Sequence, residues 1–334
     1  MTDWLQQLAQ ERLNPRAHAD SSSDFFTVLD ELGHIAFGGV DAPTFLHNQL
    51  TNDVEHLGTD QARLAGYCSP KGRLLASLLI WRTADAVVLQ LPRSLQAAIQ
   101  KRLQMYVLRS KVKVEDISDN SIAFGFVGNA AATVLNDWFS EIPTAAYDKI
   151  DAATGTLIRL ADANGAPRWQ WITTQTIAAE ALPRLCSRLT LAETARWRLT
   201  DIQAGLPQIT FATQEKFVPQ MINFEAVGGV NFKKGCYPGQ EIVARSQYLG
   251  TLKRRMLPAS VDAPLVEPGM EVFAAADAAQ PCGMIVNAER SSDGRMQCLV
   301  EVKLAAQAAG DIHLGVNGPV LEFSALPYAL PDAA

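Results

Sequence analysis

No stretch of these 334 residues approaches the ~20 consecutive apolar side chains of a membrane span. Residues 1–15 carry Asp3 and Glu11 and lack a basic start running into an apolar segment, so they do not read as a secretory signal. Cysteine is scarce and unpaired in pattern. The five, at 68, 186, 236, 282 and 298, are odd in number, scattered and without a CxxC. That excludes a disulfide scaffold or a self-contained zinc or cluster site and points to a reduced, cytoplasmic setting. The five histidines show no HExxH-type spacing, so no stably bound metal is expected. A basic excess is missing too. A net charge of −6 is the wrong sign for a general phosphate-backbone binder, so direct binding to nucleic acid is not expected. Of two local basic clusters, the one at Lys101, Arg102, Arg109, Lys111 and Lys113 reads as a solvated face. The other, around Lys233, Lys234, Arg245, Lys253, Arg254 and Arg255, stays open between a solvated face and a binding patch.

What is present describes a globular protein of two or three packed units, 48% hydrophobic and 19% charged. Residues 1–15 read as a short amphipathic helix with Trp4, Leu5 and Leu8 along one side, followed by a polar linker from Asp20 to Asp24. Thr27 to Leu32 and His34 to Phe37 read as a hairpin around Gly33. Asp41 reads as the N-cap, with Pro43 in the first turn, of a helix running through Phe45, Leu46 and Leu50. Strands over 65–68, 74–82 and 86–91, a helix over 92–105 and a strand over 111–115 complete a first unit. A second unit alternates a strand (122–127), a helix (130–139), strands at 156–160 and 168–172 and a helix (177–189), in ferredoxin-like order. A helix from Trp197 to Ala204 ends at Gly205. The tail then breaks into short strands at 271–274, 283–288 and 296–302, which read as a small β-barrel. The class is α+β, with boundaries at 1–120 together with 196–249, 121–195, and 250–334.

One segment stands apart: Lys233-Lys234-Gly235-Cys236-Tyr237-Pro238-Gly239-Gln240-Glu241. It places a thiol in a Gly/Pro turn beside two ammonium groups, which favour the reactive thiolate. Most cysteines are small buried hydrophobes, but those sit in apolar runs and Cys236 does not. Tyr237 reads as a shape element shielding one side of the thiol.

This segment resembles the K-G-C-x-x-G-Q-E signature of the YgfZ-type folate-binding proteins, relatives of the glycine-cleavage T-protein (aminomethyltransferase). Phe45 to Val54 is similar to that family's F-L-x-x-Q-x-T-x-D-V segment, Gly66 to Arg73 to its next hairpin, and Phe217 to Met221 to a further stretch. The resemblance is nearly full-length. It implies a three-part, T-protein-like ring with ferredoxin-like units and a C-terminal barrel, holding tetrahydrofolate in a central channel with Cys236 at its edge. It also implies a role in assembly or repair of iron–sulfur proteins, including enzymes of tRNA modification. Transient contacts with client or assembly proteins and a monomeric state go with that.

Carried over residue by residue, the resemblance gives Cys236 and Lys234 as the functional pair. Trp197 matches the family's channel tryptophan and can stack on a pterin or aminobenzoyl ring. Gln203 stands where the T-protein has a glutamate for the pterin edge, and an amide accepts there through one oxygen only. Leu32 replaces an aromatic wall. Gln49, Asn52 and Asp53 are channel or cap residues, Gln240 and Glu241 orient the cysteine loop or cap the next helix, and Arg245 either meets the glutamate tail of folate or forms a plain surface ion pair. The T-protein's paired aspartates correspond to Ala76 and Ser77. Neither can stabilise a developing cation, which argues against aminomethyl transfer. The alternative is a folate-dependent one-carbon transferase in which Cys236 is structural.

Overall fold

The computed structural model describes residues 3–13, 24–248 and 252–331, and the linker over 20–23 lies outside them. Helix α1 (Asp3–Arg12) buries Trp4 and Leu8, whereas Leu5 is 48% exposed and lies off the packed stripe. Strand β1 (Phe25–Val28) is not half of a hairpin with β2 (Leu32–Gly38). The two enter different sheets. Helix α2 (Ala42–His47) follows Asp41, carries Pro43 in its first turn and stops before Leu50, which bridges to Tyr67 instead.

The first sheet combines β2 with β3 (Ala62–Cys68), β4 (Leu74–Arg82), β5 (Ala86–Pro92) and β6 (Lys113–Asp116), in the order β3-β4-β5-β2-β6. Between β5 and β6 runs α3 (Arg93–Val107), whose Leu95, Ile99 and Leu103 recur at helical spacing and pack on the sheet. The second sheet follows from β7 (Ile122–Val127), α4 (Asn129–Leu135), β8 (Lys149–Ala152), β9 (Gly155–Ala163), β10 (Ala166–Thr173), α5 (Gln175–Arg188) and β11 (Thr190–Leu191). Its order is β11-β1-β7-β10-β9-β8. Strand β1 lies antiparallel to β7 and parallel to β11, so the N-terminal strand is embedded in this sheet.

Strand alternation builds two cores from the second sheet. Phe26, Phe124, Phe126 and Trp171 point to the face covered by the helices. Phe25, Ala123, Val127, Ile158 and Ile172 point the other way, against Leu79, Trp81 and Val88 of the first sheet. In that inter-sheet layer lies Trp197, from α6 (Thr194–Gln203). A Cβ on Gly125 would meet the indole at 2.5 Å, so the missing side chain in β7 makes the room for Trp197.

After α7 (Gln240–Tyr248), the C-terminal sheet comprises β12 (Arg254–Val261), β13 (Glu271–Ala274), β14 (Gly283–Arg290) and β15 (Met296–Lys303). Helix α8 (Leu304–Ala309), β16 (Ile312–Leu314) and β17 (Glu322–Phe323) follow. The order is β16-β13-β14-β15-β12-β17, a curled half-barrel whose β14–β15 register shifts between Ile285 and Asn287. Among the described residues no helix is long and apolar enough to cross a membrane.

Candidate functional site

The cysteine loop is fastened to the first sheet by backbone contact. Gly239, at φ +81°, has no room for a side chain, because a Cβ would lie 2.4 Å from the Ser69 carbonyl oxygen and 2.6 Å from Gly72 Cα. Two glycines thus let the loop press onto the turn between β3 and β4. The Gln240 N–H donates to the Tyr237 carbonyl oxygen at 3.2 Å, leading into α7. Cys236 is exposed. Tyr237 beside it is buried.

Lys234 points inward. Its ammonium donates to the carbonyl oxygens of His47 and of Leu50 (2.9 Å), and lies 4.8 Å from the Tyr237 ring centroid. Burial lowers its pKa to about 8, against the opposite pull of Asp53, Cys236 and Glu55. Next to it, His47 Nδ1 bonds Asp53 Oδ1 at 3.1 Å, and the second Asp53 oxygen bonds His56 Nδ1 at 2.8 Å. Burial pushes the Asp53 carboxyl up, but the His56 N–H and imidazole outweigh it and hold the carboxyl below its ordinary value. His47 Nε2 lies 3.4 Å from where a Cβ on Gly235 would sit, directly under the cysteine loop.

Three adjoining compartments form a chain that reaches this loop at one end, where Lys233 is part of the wall. The inner one, about 110 Å³, is lined by Leu32, Leu64, Ser77, Gln90, Tyr147, Gln170, Trp197 and Asp201, among others. Leu64 and Tyr147 are also walls of a compartment of about 600 Å³ that takes in Asn52, Asp53 and Lys233. On another side, Glu31, Arg198, Asp201, Leu206 and Gln208 are shared with a cleft of about 810 Å³ against the C-terminal sheet.

The residues singled out from the sequence divide accordingly. Leu32 and Trp197 line the inner compartment, and Asn52 lines the 600 Å³ one while its amide donates to the Leu64 and Gly228 carbonyl oxygens, both at 2.7 Å. Gln203, at the end of α6, and Gln240, Glu241 and Arg245 on α7 are not in the walls of these three compartments. Glu241 and Arg245 are exposed. Ala76 is fully buried, and the Ser77 hydroxyl accepts from the Ile209 N–H at 2.9 Å, so no carboxylate occupies either position.

Sequence reading passed over Asp201, Tyr147 and the Gln90–Gln170 pair. Asp201 had a signal, since it lies four residues beyond Trp197 and so on the same face of α6. The others come from three different strands and loops, and no spacing links them. Among the described residues no group of three His, Cys, Asp or Glu side chains is placed to hold a metal ion.

No family model matches the chain. It is 29% identical to "tRNA-modifying protein YgfZ" of Yersinia pestis (strain Pestoides F) over 308 residues, 91% of this chain and 92% of that protein. The YgfZ of Enterobacter sp. (strain 638) is also 29% identical, over 306 residues, 91% of this chain and 93% of that one. Among solved structures, the glycine cleavage system aminomethyltransferase T from Bartonella henselae superposes with a TM-score of 0.73, covering 94% of this chain and 88% of that one at 16% identity. In sequence the chain is thus similar to the YgfZ proteins over nearly its whole length, and its fold is that of the T-protein.

Proposed function

We propose that this protein binds a reduced folate along the linked compartments and presents Cys236 beside them to a partner in iron–sulfur protein assembly or repair and tRNA modification. The observation that carries this reading is the exposed thiol on a loop whose Lys233 walls the compartment adjoining the Trp197 cavity. The cavity suits a folate: the Trp197 indole offers a stacking face, the walls are mainly aliphatic, and the buried Tyr147 hydroxyl has no partner among the described residues. When bound, the folate supplies one-carbon chemistry or occupancy of the channel. The chain's own residues bind it, exclude water and hold the thiol.

One cysteine cannot complete the four-thiolate set of a cluster, so any cluster handled here is shared with partner ligands and held transiently. The protein acts in the cytoplasm, as a monomer, with client or assembly proteins as passing partners. An aminomethyl transferase is disfavoured by Ala76 and Ser77, because neither offers the charge that such chemistry needs.

Titration of the intrinsic tryptophan fluorescence with tetrahydrofolate tests the ligand. Quenching that disappears in Trp197→Ala is expected, and an unresponsive wild type rejects the folate assignment. Cys236→Ser is expected to fold and to fail in complementation, and full rescue would remove the thiol from the function. Turnover of an aminomethyl donor would favour the transferase.

A further inference from the structure

The inner compartment holds a carboxylate that the family likeness does not account for. Asp201 Oδ1 is fixed by Arg168 Nη1 at 2.7 Å, while its Oδ2 has no hydrogen-bond partner among the described residues and about a quarter of the side chain stays open (27%). Arg168 itself is fully buried. It is held by the Ala161 carbonyl oxygen and the Thr200 hydroxyl, both at 2.8 Å, and its guanidinium stacks 5.1 Å from the Trp197 ring centroid. One arginine therefore positions both the indole and the acid, so the stacking face and the charged acceptor are set in a fixed mutual arrangement.

The rest of the wall is polar in a second place. Gln90 and Gln170 exchange amide bonds at 3.2 and 2.5 Å, and His34 Nε2 lies 3.0 Å from Gln90 Oε1. These amides satisfy each other. Tyr147, by contrast, brings a buried hydroxyl with no partner among the described residues to the junction of two compartments. An open carboxylate oxygen and an orphaned phenol in one largely aliphatic cavity mark a site built for a ligand with its own polar edge.

Size narrows the ligand. About 110 Å³ lies below the ~300 Å³ at which pockets for whole drug-sized molecules begin, so one ring system fits and the remainder must extend into the neighbouring compartments. A carboxylate with one oxygen committed to arginine offers the ligand one charged acceptor. Its complement is an exocyclic amino group or ring N–H on a flat heterocycle.

We infer that Asp201, held by Arg168, is the specificity-determining residue of this cavity: it accepts from the 2-amino edge of a pteridine lying against Trp197, the task the family likeness would give to position 203. This rests on the folate reading above. Gln203, at the end of α6 and outside the cavity wall, takes no part.

The test couples a protein change to a ligand change, with binding read by tryptophan quenching or calorimetry. Wild type should bind tetrahydrofolate about tenfold or more tightly than the analogue lacking the 2-amino group, the scale of one hydrogen bond to a charged acceptor. Asp201→Asn should lose about as much affinity for tetrahydrofolate and should no longer distinguish the two ligands. Gln203→Ala should bind within about twofold of wild type, and a merely structural Asp201 would weaken both ligands equally. Wild type that binds tetrahydrofolate but ignores the 2-amino group overturns the inference and leaves the folate reading standing, without recourse to any variant. Wild type that binds neither ligand overturns both.

Discussion

Lys234 reaches back across the cysteine loop to the main chain of His47, donating to the carbonyl oxygen at the last residue of α2 and, with a second bond, to Leu50. A cation there answers the negative end of that short helix and satisfies carbonyls that the helix leaves open. The lysine of the motif is therefore an anchor of the loop, and its charge is held at the cost of burial.

That cost has a pH signature. In the unfolded chain Lys234 keeps its proton to about pH 10.4, whereas in the fold burial brings the pKa to about 8. Between these values the unfolded state binds more protons, so this group's contribution to stability grows as pH rises from 8 towards 10 and is least favourable below 8. The difference in melting temperature between wild type and Lys234→Met should shift in favour of wild type from pH 7.0 to 9.5. A constant difference would show that the ammonium is not desolvated.

Thiol reactivity should be concentrated at one residue. Cys68 and Cys298 are buried and pushed up to about 12 by burial, and burial brings the half-buried Cys186 to about the same value. Cys282 is buried and raised as well. Iodoacetamide on the native protein at pH 7.5 should label Cys236 at least about tenfold faster than the rest, read by peptide mass spectrometry. Comparable labelling of Cys186 would contradict the burial pattern.

Gly239→Ala should loosen the loop. The positive φ alone costs about 1–2 kcal/mol, and the new methyl collides with the Ser69 carbonyl oxygen and Gly72. A denaturant melt should show at least that loss. An unchanged midpoint would mean that the loop does not rest on the β3–β4 turn.

Arg255 and Glu225 form an ion pair with 5% and 2% of their side chains exposed, and Arg255 also donates to the Gln220 carbonyl oxygen at 3.1 Å. Arg255→Met should cost about 3–5 kcal/mol by stranding the carboxylate, whereas Arg255→Met with Glu225→Met should recover most of it. Equal losses in the single and double variants would remove the coupling.

The α+β class and most elements could be read from local pattern. Strands β3 and β4 flank a Ser-Pro-Lys-Gly turn, and α3 declares itself through Leu95, Ile99 and Leu103. Pairing partners were harder. Phe25–Val28 and Leu32–Gly38 look like neighbours, but Phe26 faces Phe126 of β7, a partner no periodicity identifies. The cysteine loop was visible because its residue types are unusual in combination. The cavity was only partly visible, since Trp197 and Asp201 share a helix face while Tyr147, Gln90 and Gln170 meet only when the two sheets pack face to face.

The threading of β1 between β7 and β11 has a consequence for biosynthesis. A ribosome delivers Phe25 first, yet that strand has both its neighbours only when Leu191 has emerged. Once β7 has emerged one edge can pair, but the other stays open until Leu191, so this apolar strand is exposed to mispairing for longer than a strand of a local hairpin would be.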